Sequence, residues 1–261
     1  MFSASTGSYM RPMEAQFGCG SVQRLIRAWD VMSRPAMFQR LSRSIVTLNS
    51  SAMTVPLAKA LAQLAPENII HVDHYAVEIY NRSASDKYRI RDELEPYAFE
   101  GDLANARIVM LLSNPGYGQG SSLASHTFRR DGWPLSAIHP DAPAETYRWN
   151  RRLLKSLIEL FGAQLVSQRV AKLELTPWAS KSMDTKLLLP SRALVLNVVN
   201  RLAQRGIVIV VLRSEALWLQ AEDVARSKTR FRVKNWRSAS VSPGNLSAEA
   251  WAQVVEAMAR P

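Results

Sequence analysis

A polar loop, Ser113–Gly116, directly follows an unbroken apolar run over Ile108–Leu112 and holds the residue best suited to chemistry. The amide of Asn114 can orient a water molecule, although it cannot deprotonate one. Pro115 pushes Asn114 out of the helical region, and Gly116 allows a turn with positive φ. We therefore expect a tight loop that holds Asn114 rigid. The alternative is that Asn114 only caps this turn through its own backbone.

The segments around this loop alternate between strand and helix patterns. The predicted strands are Ile108–Leu112, Arg169–Leu175, Ile207–Leu212 and the more exposed Phe231–Asn235. The predicted helices are Leu57–Leu64, which ends at Pro66, Trp149–Phe161, which stops at an αL cap on Gly162, Leu194–Gln204, and a last helix capped by Ser247. Strands and helices at crossover distances predict an α/β fold, with three αβα layers and a central parallel sheet of about four strands.

Parallel strands bring their carboxyl ends to one edge of a sheet, where open α/β sheets build binding sites. The polar segments that follow the four strands are Asn114–Gly116, Glu174–Thr176, Arg213–Glu215 and 235–246. We expect them to converge on one rim. After the first of these strands, Arg129 and Arg130 lie beside Phe128 and Trp133 in a long polar passage. This mixture suits phosphate contact and base stacking, or equally an ordinary surface loop that packs its aromatic side chains inward.

Composition restricts the partners and the compartment. The chain of 261 residues has a net charge of +11, which suits a polyanionic partner such as nucleic acid. Its single cysteine, Cys19, excludes an internal disulfide and a four-cysteine metal site, so a reducing cytoplasm fits best. No apolar run approaches membrane-spanning length. His71, Asp73 and His74 suggest metal ligands, but we favour a satisfied surface or core pair.

Residues 1–52 differ from the rest of the chain. They contain six arginines, no lysine and two acids, with frequent serine. This composition allows a transit-peptide-like helix, a disordered basic arm, or upstream sequence ahead of a true start at Met53. We favour the last two readings, so the sequence predicts a basic extension over 1–52 and one α/β domain over 53–261.

Three segments together resemble a known family. Leu112–Gly116, reading LSNPG after a hydrophobic strand, is similar to the first motif of the uracil-DNA glycosylase superfamily, above all its mismatch-specific Gly-x-Asn-Pro-Gly branch. Glu95–Asp102 resembles the segment that precedes this motif in many members. Ser242–Ser247, reading SPGNLS, is similar to the second motif, His/Asn-Pro-Ser-x-Leu. The resemblance spans about residues 95–250.

The resemblance implies hydrolysis of an N-glycosidic bond in nucleic acid, with DNA as the expected partner and without a metal or a cofactor. Asn114 then positions the water, Tyr117 or Phe128 stacks on the base, and Ser242 takes the second-motif position. Backbone N–H groups near Gly116 and Gly244 hold an anionic base or a phosphate. The remaining expected substrate contacts are Pro115, Glu174, Thr176, Asn235, Asn245 and Leu246, and Arg129 and Arg130 contact the nucleic acid. A monomer is the favoured state.

The sequence also departs from the family's pattern. Ser242 stands where the family has His or Asn, which weakens or removes a donor to the leaving base. Glu174–Thr176 stands where a base-reading Asn is expected at the end of the second strand. The first motif has no aspartate, so a strong general base is excluded there. These departures keep two alternatives open: a nucleic-acid-binding or nucleotide-binding module without catalysis, and an enzyme for a small nucleotide-like ligand.

Leu246 has two interpretations. In the family resembled, the corresponding loop enters the DNA minor groove and helps to expel a nucleotide. Leu246 also precedes the predicted cap Ser247 and lies five positions before Trp251 in the final helix, where a hydrophobic staple is expected. The spacing alone does not choose between them.

Overall fold

The structure is a computed structural model that describes residues 56–117 and 128–260. Its sheet has five strands in the order β1-β3-β2-β4-β5. These are β1 Phe99–Glu100, β2 Ile108–Leu112, β3 Val170–Glu174, β4 Val208–Val211 and β5 Arg230–Arg232. The four longer strands are parallel, and β1 pairs antiparallel with β3 at the edge. The mixed α/β class is therefore confirmed.

Helices surround this sheet. They are α1 Leu57–Ala62, α2 Pro66–Asn81, α3 Ala144–Phe161, α4 Ala163–Arg169, α5 Ser191–Gln204, α6 Glu215–Trp218, α7 Glu222–Arg226 and α8 Ala248–Ala259, with a short 3-10 helix at Ser136–Ile138. None of the helices in the described parts of the chain combines the length and apolar character that a membrane span needs.

Alternation along the buried strands divides the core in two. In β2, Val109 and Leu111 join a hydrophobic cluster with residues of α1, α2 and α5. Ile108, Met110 and Leu112 join a second cluster with residues of α3, α4 and α8. Successive side chains of a strand point to opposite faces, so an apolar residue at every position requires cover on both sides. This cover fixes β2 as the rigid centre that carries the Asn114 loop.

Several local predictions were wrong. Pro66 begins helix α2 at its first position instead of ending α1, because proline lacks only an N–H that is unpaired there anyway. Gly162 does end α3, but its ψ of 149° is extended, not αL, and α4 follows at once. Gly116 has no positive φ; it forms a parallel bridge with Ser180. The predictions for residues 1–52 and for part of the polar passage, 118–127, lie outside the described residues.

Candidate functional site

A cavity of about 610 Å³ opens at the carboxyl ends of the parallel strands. Its lining includes the segments that follow β2, β3 and β4, Trp236 beyond β5, and residues of β1, β3 and α3. The chain passes from β2 to β3 on one side and later to β4 on the other, which makes this edge a topological switch point. Ser113 and Ser214 face each other across that switch point with their Oγ atoms 2.7 Å apart.

Backbone strain is located at the same place. Ser214 has φ 56° and ψ 36°, and it is the one non-glycine residue with positive φ among residues 56–117 and 128–260. The Cβ of a non-glycine residue makes this left-handed conformation unfavourable, and residues held in it are often found at functional sites. The short α6 begins directly after it.

Asn114 lines the cavity, and its amide also ties two loops together. Its Nδ2 donates to the backbone oxygen of Ser180 at 3.2 Å, to the Ser180 hydroxyl at 2.9 Å and to the Pro115 oxygen at 3.1 Å. The amide group is therefore held in one orientation by the segment that follows β3. With the N–H side engaged in this way, the carbonyl Oδ1 is the atom suited to accept a hydrogen bond from a water or a ligand.

Glu174, the last residue of β3, is one of two buried acids that line this cavity, with Glu100. It is 6% exposed, and its Oε2 has no hydrogen-bond partner among the described residues. Burial raises the pKa of this carboxyl from its ordinary 4.5 to about 7, and the negative charge of Glu100 acts in the same direction. The positive charges of Lys172 and Arg213 oppose the rise.

A buried ion pair lies beside Glu174. Lys172 Nζ is 2.5 Å from Glu100 Oε2 and donates to Asn150 Oδ1 at 2.8 Å. Glu100 Oε1 accepts from the Ala137 backbone N–H at 2.7 Å. Both charges of the pair are thus compensated inside the protein.

Gly101 allows this pair to form. A Cβ at Gly101 would lie 2.7 Å from the Val170 oxygen and 2.8 Å from Ala171 Cα, both backbone atoms, and its φ is +98°. Glycine lets β1 approach β3 closely, which brings Glu100 next to Lys172. The segment Glu95–Asp102, noted for its resemblance, supplies Tyr97 and Glu100 to the cavity.

Aromatic side chains form much of the cavity wall. Both predicted stacking residues, Tyr117 and Phe128, line it, together with Tyr97, Trp149 and Trp236. The guanidinium of Arg129 lies over the Tyr97 ring at 4.9 Å. Trp236 is 60% exposed at the mouth. A flat heterocycle entering this cavity therefore has faces to stack on.

Other predicted site residues lie elsewhere. Arg130 is 3.8 Å from Asp141 and does not line the cavity, nor does Thr176, whose backbone N–H donates to the Ser113 oxygen. Asp73 accepts hydrogen bonds from Trp178 Nε1 and from the Ser191 backbone N–H. Its carboxylate therefore joins two buried segments of the protein and is not placed as a metal ligand. Among the residues described, no group of three or more His, Cys, Asp or Glu is placed to hold a metal ion.

The second motif has a structural role in this conformation. Asn245 is buried, its Oδ1 accepts from the Asn235 backbone N–H at 2.8 Å, and its Nδ2 donates to the Ser238 and Ser240 oxygens at 3.0 Å. Leu246 is fully buried in the second core cluster, where a hydrophobic staple would place it, and has no exposed surface for a DNA groove. This segment thus shapes the loop beyond β5.

Ser242 and Gly244 of the same motif are also outside the cavity. The lining does not include either residue. The Ser242 carbonyl accepts from the backbone N–H groups of Asn245 and Leu246 and closes the turn. Ser242, which was expected to take the second-motif position in the site, therefore does not line the same cavity as Asn114.

A second cavity of about 730 Å³ shares Arg213, Ser214 and Trp236 with the first. Its other lining residues include Glu215, Arg230, Arg232 and Lys234. Glu215 pairs with Arg230 at 3.0 Å and with Arg232 at 3.4 Å. The four cations Arg213, Arg230, Arg232 and Lys234 outnumber the one acid, Glu215, so this wall carries a net positive charge.

Sequence reasoning missed Glu100, Lys172 and Asn150. A signal for Lys172 was present: Val170–Glu174 reads VAKLE, in which two charged residues alternate with apolar ones in a strand that is buried throughout. Buried charges at this spacing share one face and require partners. The contribution of Glu100 depends on β1, a strand of two residues that the pattern did not indicate.

Comparison with protein-family models, curated proteins and solved structures finds no match. The site's own chemistry is what bears on function. It combines an oriented amide, a buried acid that can exchange a proton near neutral pH, and stacking surfaces inside one cavity at a sheet edge.

Proposed function

We propose that the chain hydrolyses the N-glycosidic bond of a damaged or modified base in DNA, on a three-layer fold of the uracil-DNA glycosylase type. One observation carries this proposal: Asn114, Phe128 and Glu174 line the same cavity. A glycosidic transition state needs a placed water, a stabilised sugar cation and an acceptor for the leaving base. Asn114 suits the placement of the water, Phe128 offers a face on which the base can stack, and Glu174 lies where it can meet the leaving base.

Water placement is assigned to Asn114. Its amide is anchored through Ser180, so its Oδ1 can hold a water in line with the anomeric carbon without reorganising. The base lies against Phe128 or Tyr117. Such a position requires the nucleotide to leave the DNA stack, as in enzymes that act on extruded bases.

DNA as the substrate is supported by charge. The net charge of +11 and the cations Arg213, Lys234 and Arg237 near the mouth suit a polyanionic backbone. Arg237 lies 5.2 Å over the Trp236 ring, and base stacking on an exposed Trp beside a cation is common in single-strand binding.

A second candidate is a binding module of the same fold without catalysis. It is favoured by the place of Ser242 outside the cavity and by the use of the Asn114 amide in tying two loops together. Such a module would bind DNA and leave every glycosidic bond intact.

The test is a panel of duplex and single-stranded oligonucleotides carrying uracil, thymine mismatches, hypoxanthine or alkylated bases. We expect free base and alkali-labile strands from at least one member. An Asn114→Ala protein, purified in parallel, is the matched control against a contaminating glycosylase. DNA binding without any release of base would support the binding module instead.

A further inference from the structure

The buried carboxyl of Glu174 has an oxygen whose burial no hydrogen bond among the described residues compensates. Buried polar atoms in native proteins nearly always have a hydrogen-bond partner, yet Oε2 has none among the described residues. The side chain is more than nine-tenths buried and lines the same cavity as Asn114. An unsatisfied acid of this kind is a candidate for contact with a ligand.

The neighbouring cation does not satisfy it. Lys172 lies two residues earlier on the same face of β3, but its ammonium is directed to Glu100 and Asn150. If Lys172 had been the partner of Glu174, the arrangement would be an ordinary buried ion pair. Lys172 pairs with Glu100 instead, and Glu174 Oε2 has no hydrogen-bond partner among the described residues.

We propose that Glu174 is the general acid that protonates the leaving base. This inference rests on the proposed hydrolysis of a glycosidic bond and assigns its missing donor. Ser242 lies outside the cavity, whereas Glu174 lines the same cavity as Asn114 and Phe128, which would hold a nucleotide.

The step balances as follows. As the bond between the anomeric carbon and the base nitrogen breaks, its electron pair moves to the base, and the Glu174 proton transfers to a ring nitrogen or a carbonyl oxygen of that base. The water held by Asn114 adds to the sugar cation and then loses a proton, which restores the acid through solvent. The products are the free base and an abasic sugar.

The surrounding charges set the pH range. Glu174 is faced by Lys172 on its own strand, Glu100 on β1 and Arg213 after β4, with the Tyr97 hydroxyl close to Glu100. Burial outweighs the two cations, so the acid keeps its proton up to about pH 7. Activity that needs this proton falls as the pH rises above that value.

The test is single-turnover base release between pH 5.5 and 8.5 on an oligonucleotide that the panel shows to be cleaved. Glu174→Gln should slow release at pH 6 by about a hundredfold or more and remove the decline at alkaline pH. Glu174→Asp, which keeps the proton, should retain that decline. Glu249→Gln, an exposed acid on α8, is the charge control. A Glu174→Gln rate and pH profile equal to wild type would overturn the inference and leave the proposed hydrolysis intact.

A second readout does not use the reaction. In protein labelled with ¹³C at glutamate carboxyls, one resonance should titrate near pH 7 and disappear in Glu174→Gln. Absence of that resonance would overturn the role of Glu174 as an acid. If wild type releases no base from any panel member, the proposed function fails, and the general acid fails with it.

Discussion

Glu174→Gln should make the protein more stable than wild type at alkaline pH but not at acidic pH. The folded carboxyl has a pKa of about 7 against an ordinary 4.5, so the folded state binds the proton more tightly than the unfolded state. The stability that this group contributes is present below pH 4.5 and is lost as the pH rises through about 7. A difference of one between the folded and unfolded pKa corresponds to about 1.4 kcal/mol. The rise from 4.5 to about 7 therefore lowers the free energy of unfolding by about 3 kcal/mol above pH 7. Gln has a similar shape and no charge to bury.

The assay is urea unfolding followed by circular dichroism at pH 5 and pH 8. At pH 5, where Glu174 holds its proton, the variant and wild type should have similar free energies of unfolding. At pH 8 the variant should gain up to about 3 kcal/mol. Glu249→Gln, with its side chain in solvent, should show no such difference between the two pH values. An equal effect of Glu174→Gln at both pH values would refute the account of this carboxyl.

Three further predictions concern the loops around the site. Asn114→Asp should lower the thermal midpoint more than Asn114→Ala, because the amide donates to Ser180 and a carboxylate would repel that oxygen; equal midpoints would contradict this geometry. Replacing Arg129 and Arg130 together by Ala should weaken binding to DNA of any sequence and flatten the log–log salt dependence by about 0.9 per lost phosphate contact. An unchanged slope in anisotropy titrations would exclude phosphate contact. Ser214→Gly should be about 1 kcal/mol more stable than Ser214→Ala in urea unfolding, since both lose the hydroxyl and only Gly relieves the positive φ. Equal stability would indicate an unstrained turn.

The central strands could be predicted from the sequence because each is specified by a local run of apolar residues. Ile108–Leu112 is apolar at every position, which requires cover on both faces and a place inside a sheet. The same run sets the position of Asn114 at the carboxyl edge. Helix α2 was missed, because its buried residues Ile69, Asp73 and Val77 are interleaved with exposed apolar ones such as Tyr75. Mixed patterns of this kind give no clear period.

The buried ion pair of Glu100 and Lys172 depends on contacts between residues far apart in the sequence, which no local sequence pattern indicates. Glu100 reaches Lys172 only because Gly101 brings an edge strand close to β3, and Asn150 reaches it from helix α3. In the second motif, Ser242–Ser247, the sequence pattern indicated a role in the site that this conformation does not provide. Its residues match a familiar order, yet Leu246 is in the core. A sequence that matches a catalytic motif can thus stabilise a loop without taking part in a reaction.

The most direct test of the central claim compares base release and DNA affinity in Asn114→Ala. The amide lines the cavity at the end of β2, and one positioned polar group of this kind supplies about a hundredfold or more in rate. We predict that single-turnover base release falls by at least that factor, while the Kd for uncleaved DNA stays close to that of wild type. A variant that releases base as fast as wild type would contradict the assignment of this cavity as the catalytic site.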